Sequence, residues 1–514
     1  MSGLLVAGTT SDAGKSLVVA GICRYLARQG YSVAPFKAQN MSNNSMVCPD
    51  GAEIGRAQWL QARAAGVTPE AAMNPILLKP GSDRRSHIVA LGKPYGALDS
   101  GEYATGRGAL AEIAHDTLAD LRRRFDVVIC EGAGSPTEIN LRAGDYVNLG
   151  LARRCGLPVV VVGDIDRGGV FAAMFGTLAL LAPEDQALVS GWIVNKFRGD
   201  PGLLRPGLDS LSRVTGRPVL GVLPWLEGAW IDSEDALAAA GWQRDTGVSG
   251  RGSGAGPAAD GNRPLQVTVV RLPRTSNATD VDALAAEPGV SVTLTDSPET
   301  VHSSDVVVLP GTRATVDDLR WVRERGIDRA VLARAAAGKP VLGICGGHQM
   351  LTSTIHDEWE SGSGVVPGLD LLPATVTFER DKVLGTPEGA WRDHPVLAYE
   401  IHHGSAALDR RDPRADRVEP FLDGWRLGAV WGTTWHGAFD NDGFRRAWLA
   451  AAAEQAGLRW EPARDAPGFA ELREGMLDRV ADAVAEHLDT TGLLRTVSHG
   501  APAGLPFVPP GAPG

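Results

Sequence analysis

Short apolar runs recur through the first half of the chain: Leu4–Gly8, Val33–Lys37, Asp126–Cys130, Pro158–Gly163, Gly191–Asn195 and Pro218–Leu223, each bounded by Gly, Pro or charge. Between them, stretches such as Leu17–Gln29 and Leu110–Arg123 carry apolar residues at helical spacing. Strands without polar alternation are buried on both faces, so this rhythm predicts a parallel sheet with crossover helices. From Gln243 to Arg263 the apolar period vanishes into Gly, Ala and Ser, which predicts a flexible tether over 243–264. The alternation restarts with Leu265–Leu272, Val290–Thr295, Asp305–Pro310 and Pro340–Cys345, and Thr375–His436 is richer in short strands and turns. Phe469, Leu472, Met476, Val480, Val484 and Leu488 mark a last helix, and Ser498–Gly514 is Pro/Gly-rich and expected to be disordered. The expected organisation is an α/β domain over 1–242, the linker, a second α/β domain over 265–490 and a tail over 491–514.

Composition narrows the function classes. At about 150 residues per domain, 514 residues allow two to four domains. A net charge of −11 disfavours nucleic acid, whose phosphates need a basic face. No apolar run approaches the roughly 18 residues of a membrane helix, and no basic segment precedes an apolar one as in a signal peptide. The five cysteines, Cys23, Cys48, Cys130, Cys155 and Cys345, form no CxxC pair, which disfavours a disulfide framework and a zinc site. The expected compartment is the cytoplasm.

Two motifs carry chemistry. After the first strand comes Gly8-Thr-Thr-Ser-Asp-Ala-Gly14-Lys15-Ser16, then a helical pattern. Amide groups of such a loop converge on phosphate oxygens at a helix N-terminus, with Lys15 on the β/γ-phosphates and the Ser16 hydroxyl on Mg²⁺. The loop is one residue longer than the usual form, since Thr9 stands where glycine is expected. Thr10 replaces the lysine of partition ATPases, which disfavours that type of switch. Glu131, at a strand end before Gly132-Ala-Gly134, is the candidate metal ligand. Asp164 and Asp166 also lie at a strand end, beside Arg167.

The second motif is Pro340-Val-Leu-Gly343-Ile-Cys345-Gly-Gly347-His-Gln-Met-Leu351, a strand, a glycine-flanked turn and a helix that together expose a thiol. The helix N-terminus favours the thiolate. His436, in a Gly-bounded turn, is the candidate base. Cys23 and Cys130 read as inert core. His402 and His403 are adjacent on a predicted strand and so face opposite ways, a poor metal clamp. His348 reads as a packing residue.

A phosphate loop and a cysteine elbow in one chain suggest glutamine-dependent amidation. The loop, Pro35–Ser45, Met73–Pro80, Glu131–Pro136, Asp164–Phe171, Asn195–Asp200, the elbow and Tyr399–Gly404 together resemble the cobyric acid synthase family of cobalamin-pathway amidotransferases. The resemblance implies a P-loop NTPase-like domain similar to dethiobiotin synthetase, followed by a class I glutamine amidotransferase-like domain. It implies ATP and Mg²⁺ as cofactors. The implied reaction is amidation of the b, d, e and g carboxylates of adenosylcobyrinic a,c-diamide, a corrinoid, with nitrogen from glutamine or ammonia.

Carried onto this chain, the resemblance makes Cys345 the nucleophile and His436 its base, with Gly311 and Gly346 as the oxyanion hole. Thr10, Asp12, Ala13, Gly14, Lys15, Ser16 and Asn195 would bind ATP, with Ser16 and Glu131 on Mg²⁺. Many class I amidotransferases place an acid two residues after the histidine. Ala438 stands there, which leaves open what orients the His436 ring. His348 is a second departure, where the family often has tyrosine.

The nearest rival is the a,c-diamide synthase, whose segment after the second strand is acidic where Gln39, Asn40, Asn43 and Asn44 are neutral. A non-catalytic nucleotide switch with a degenerate amidotransferase domain is the rival from another class. The intact pair Cys345 and His436 argues against it. Oligomeric state stays open, a homo-oligomer included.

Overall fold

The computed structural model of the chain describes residues 2–82, 85–99, 107–229 and 263–509. The linker expected over 243–264 lies, except for its last two residues, outside them. The described residues fall into two compact units, one from the segments Met1–Ser42, Ala52–Asp232 and Arg473–Gly514, the other from Asn43–Gly51 and Ser233–Leu472.

The first unit is built on strands β1 (Ser2–Gly8), β2 (Val33–Phe36), β3 (Val127–Glu131), β4 (Val159–Asp164), β5 (Val189–Phe197) and β6 (Val219–Pro224), in the spatial order 6-5-4-1-3-2. All pairings are parallel, as the unbroken apolar runs demand. Successive residues feed opposite faces. Leu5, Ala7, Val128, Val159 and Val161 enter one core. Leu4, Val6, Ile129, Val160 and Val162 enter the other, with Val18, Val19, Ile22 and Leu26 of helix α1 (Lys15–Arg28).

The structure draws the domain boundary elsewhere than the sequence reading does. From Arg473 onward the chain belongs to this first unit, not to the second. Val484 of α2 (Phe469–His487) joins the same core as α1, together with Leu493 and Val497 of α3 (Thr490–His499). A Cβ on Gly21 would lie 2.8 Å from the side chains of both Val480 and Val484, so glycine lets the helices approach closely. Arg24 bonds Asp478 at 2.8 Å and Arg63 bonds Glu474 at 2.9 Å along the rim.

Nor does the tail expected over 491–514 begin at 491, and the disorder expected from Ser498 does not hold up to residue 509. The segment to His499 is helical, and beyond it Val508 is buried. Gln186 accepts the Val508 N–H at 2.9 Å and donates to the Val508 carbonyl at 2.7 Å, while Arg217 donates to the Pro506 carbonyl. A Pro-rich segment is ordered where side chains satisfy its backbone.

The second unit carries β7 (Leu265–Val270), β8 (Val290–Thr295), β9 (Val306–Leu309), β10 (Val341–Ile344), β11 (Glu419–Phe421), β12 (Gly424–Leu427) and β13 (Val430–Thr433), in the order 8-7-9-10-13-12-11. Its β7, β8, β9, β10 and β13 pair in parallel, and β11 and β12 close the edge antiparallel. A further sheet is formed by Gly364–Pro367, Thr352–Asp357, Leu372–Gly385 and Glu400–Leu408. Among the described residues no helix is long and apolar enough to cross a membrane.

Candidate active sites

In the first unit, the loop between β1 and α1 wraps its own lysine. Lys15 is buried and its Nζ donates to the carbonyls of Thr10 at 2.9 Å, Ser11 at 3.1 Å and Gly134 at 3.2 Å. The extra loop residue is accommodated at Gly8, where a Cβ would press within 3.0 Å of the Lys15 stem. Gly14 adopts φ +88°, and a Cβ there would lie 2.2 Å from the Asn195 amide. Asn195 donates to the Ala13 carbonyl at 2.9 Å, and Lys196 to that of Asp12 at 2.7 Å. The Asp12 carboxylate is taken by Arg167 at 2.8 Å, Asp164 by Lys196 at 2.9 Å and Asp166 by Arg198 at 3.2 Å.

Glu131 ends β3 fully buried. Its Oε1 accepts from Ser16 Oγ at 2.8 Å and Lys37 Nζ at 3.0 Å, and its Oε2 from Gln61 Nε2 at 2.5 Å. Burial opposes ionisation, but Lys37, then Gln61, Lys15 and Ser16, outweigh it and hold the carboxyl below its usual range. Ser16 and Glu131, predicted together, are thus in contact. A hydroxyl and a carboxylate beside a phosphate loop are the hard oxygen donors that Mg²⁺ takes, so these residues fit that ion. Lys37 and Gln61 escape the sequence reading. A signal for Lys37 was present: Phe36 pairs with Cys130 across adjacent parallel strands, so the next residues of both, Lys37 and Glu131, are neighbours.

In the second unit, β10 runs into Cys345 at φ +50°, ψ −110°, and the helix Gly346–Leu351 follows. A non-glycine residue held there is strained, and such strain persists where the surroundings enforce it. They do: a Cβ at Gly347 would meet the Leu309 carbonyl at 2.0 Å, and one at Gly343 the His348 amide at 2.6 Å.

His436 is buried, and its Nδ1–H donates to Asp280 Oδ2 at 2.6 Å. The other Asp280 oxygen accepts the Gly437 N–H at 2.9 Å. Tyr399 stacks on the imidazole, with ring centroids 5.3 Å apart, and the two backbones exchange hydrogen bonds of 3.0 and 2.8 Å. Burial alone would lower the pKa of His436, but the charges of Asp280 and Cys345 and their hydrogen bonds raise it to about 10. Asp280 is therefore the acid that the residue after next, Ala438, does not supply.

Gly311 lies against the same ring, where a Cβ would be 2.9 Å from His436 Cε1. A Cβ on Gly346 would be 3.0 Å from the Thr312 amide, so both predicted oxyanion glycines reach the elbow. Gln349 also escapes the sequence reading. It accepts from Thr315 Oγ1 at 2.9 Å and donates to the Gly404 carbonyl at 3.2 Å, which fixes the strand that follows Tyr399.

His402 and His403 share a strand and part company as expected. The first meets Glu400 at 3.4 Å, and the second the Glu379 carbonyl at 3.3 Å. His348 is buried against Trp425, and burial followed by the charge of His402 lowers it to about 4. Burial likewise pushes up the thiols of Cys23 and Cys130, consistent with inert core. Among the described residues no cluster of His, Cys, Asp or Glu could hold a metal by itself.

A nucleotide-type loop on a parallel sheet and a strained thiol elbow with its own base define a glutamine-dependent ligase. Residues 4–236 match the CobQ/CobB/MinD/ParA nucleotide binding domain, and residues 266–444 the CobB/CobQ-like glutamine amidotransferase domain. The chain is 57% identical over 518 residues to a cobyric acid synthase of Mycolicibacterium vanbaalenii, spanning 100% of both chains. It is 57% identical over 514 residues to that of Streptomyces avermitilis, covering 99% of each. The chain belongs to the cobyric acid synthase family, whose work is amidation in cobalamin biosynthesis.

Proposed function

We propose that the chain amidates the b, d, e and g carboxylates of adenosylcobyrinic a,c-diamide, using ATP and ammonia released from glutamine. The observation that carries this reading is the buried His436 held by Asp280, with the Gly311 backbone against its ring and Cys345 in a strained elbow, in a chain whose other unit holds the Lys15–Ser16–Glu131 cluster.

With Nδ1–H committed to Asp280, the ring has its other nitrogen to take the Cys345 proton as the sulfur attacks. The sulfur attacks the glutamine amide carbon, and the N–H groups of Gly311 and Gly346 receive the oxyanion. His436 gives its proton to the departing ammonia. Water then cleaves the glutamyl thioester, and its proton goes back to His436.

At the other site, a substrate carboxylate takes the γ-phosphoryl group of ATP, forming an acyl phosphate and ADP. Ammonia adds to the acyl carbon and phosphate leaves. Activation is needed because a carboxylate is a poor electrophile. Lys15 and the loop amides neutralise the phosphates, and Asn195 braces the loop. Ser16 and Glu131 would hold Mg²⁺, which supplies charge neutralisation at the phosphoryl group.

Mass spectrometry of corrinoids incubated with the enzyme, ATP and glutamine tests the reading. A gain of four amides on the a,c-diamide is expected. A gain of two on the unamidated acid alone points to the a,c-diamide synthase instead.

A further inference from the structure

The segment Asn43–Gly51 belongs to the second unit, although the chain on both sides of it belongs to the first. It leaves directly after the strand Gln39–Met41, which follows Lys37. Its buried residues serve the surroundings of His436 from two directions. Ser45 donates its N–H to Asn277 Oδ1 at 2.9 Å, and Asn44 Oδ1 accepts the Ala278 N–H at 3.3 Å. Asn277, at φ +50°, caps the turn Ala278–Val281, which carries Asp280. On the other side, Val47 packs with Tyr399 and Ile401, and Tyr399 is the ring stacked on His436. One nine-residue excursion thus braces both the hydrogen-bond partner and the stacking partner of the base.

We propose that Asn44, Ser45 and Asn277 are positioning residues for the His436–Asp280 pair, so that glutamine hydrolysis depends on the seating of a segment contiguous with the Lys37 strand. The physical ground is the tolerance of the site. Proton transfer in the Cys345–His436 pair requires the ring within hydrogen-bond reach, and a shift of about 1 Å from a remote change costs on the order of 100-fold in rate. With the turn unbraced, Asp280 no longer holds Nδ1–H, and the imidazolium loses the partner that raises its pKa. The inference rests on the assignment of Cys345 and His436 as the glutaminase pair.

The test is Asn277→Gly. Glycine keeps the positive φ and removes only the acceptor for Ser45. Glutamate release from glutamine and ammonium-supported amidation are assayed separately across pH, with Cys345→Ala as control. For Asn277→Gly the kcat of glutamine hydrolysis is expected to fall about 10- to 100-fold with KM changed less than about 2-fold, and its alkaline limit to move down. Ammonium-supported amidation stays within about 2-fold of wild type. Asn277→Asp, which retains an acceptor and tolerates the left-handed backbone, restores the pH profile. Asn44→Ala, which removes the second hydrogen bond, reproduces the loss if Asn277→Gly proves unstable.

An unchanged kcat and pH limit in both loss variants would overturn the proposal. So would parallel loss of both activities in variants that melt like wild type. Glutamate release that survives Cys345→Ala would overturn the underlying assignment instead.

Discussion

The two sites hold a buried charge in opposite polarity. At the end of β3 the fixed charge is an anion, Glu131, ringed by Lys37, Lys15, Gln61 and Ser16. In the second unit it is a cation, His436, held between Asp280 and Cys345. Burial works against both, and in each the surrounding groups win. The difference matches the chemistry proposed for each site. Phosphoryl transfer needs an acid that stays ionised as a metal ligand, whereas amide hydrolysis needs a base that carries a proton it can surrender.

The largest effect expected from breaking this pairing is at the nucleophile. Cys345→Ala should lower glutamine-supported amidation by on the order of 10⁴-fold or more, leaving amidation from ammonium salts close to wild type. Persistent use of glutamine would remove Cys345 from the mechanism. Asp280→Asn comes next, with glutamine hydrolysis down on the order of 10³-fold because the amide lets the imidazole take the wrong tautomer. Its alkaline limit should move below that of wild type, and a pH profile that does not move would mean Asp280 is not what raises His436.

Glu131→Gln is expected to cost on the order of 10²-fold in amidation with either nitrogen source, with glutamate release from glutamine little changed. If amidation survived, Glu131 would be only a partner for Lys37.

The smallest effect is on stability, and its sign differs between the sites. His436 has a raised pKa, so its contribution is complete below the ordinary histidine value, about 6.5, and fades as pH rises through about 10. Glu131 has a lowered pKa, so its contribution is present above the ordinary carboxylate range and is lost as pH falls through the folded value. Thermal unfolding across pH should therefore show an alkaline decline that Asp280→Asn flattens and an acid decline that Glu131→Gln flattens.

The same contrast explains what the sequence revealed. Lys15, Ser16, Glu131 and Cys345 were legible because each stands at a strand end or in the turn after it, where local geometry alone decides what is presented. Asp280 was not. It lies 156 residues before its histidine, in a short turn with no periodic signature, and only tertiary packing brings the two together. The parallel sheets were legible from their apolar runs. The apolar stripe from Phe469 to Leu488 predicts a helix, but a stripe announces only that it needs a partner. Its match with α1, fixed by Gly21, is a property of the folded surface.

That match bears on the order in which the protein is made. The helix that carries the phosphate loop is covered by α2 and α3, which leave the ribosome long after it, with the whole of β7 to β13 between them. The strands of the second unit emerge in between, while the nucleotide-binding half waits with Val19, Ile22 and Leu26 uncovered until α2 and α3 follow. A chain that stops before Phe469 would keep the Cys345 elbow and lack the helices that cover α1, an amidotransferase-type half beside an unfinished nucleotide-binding one.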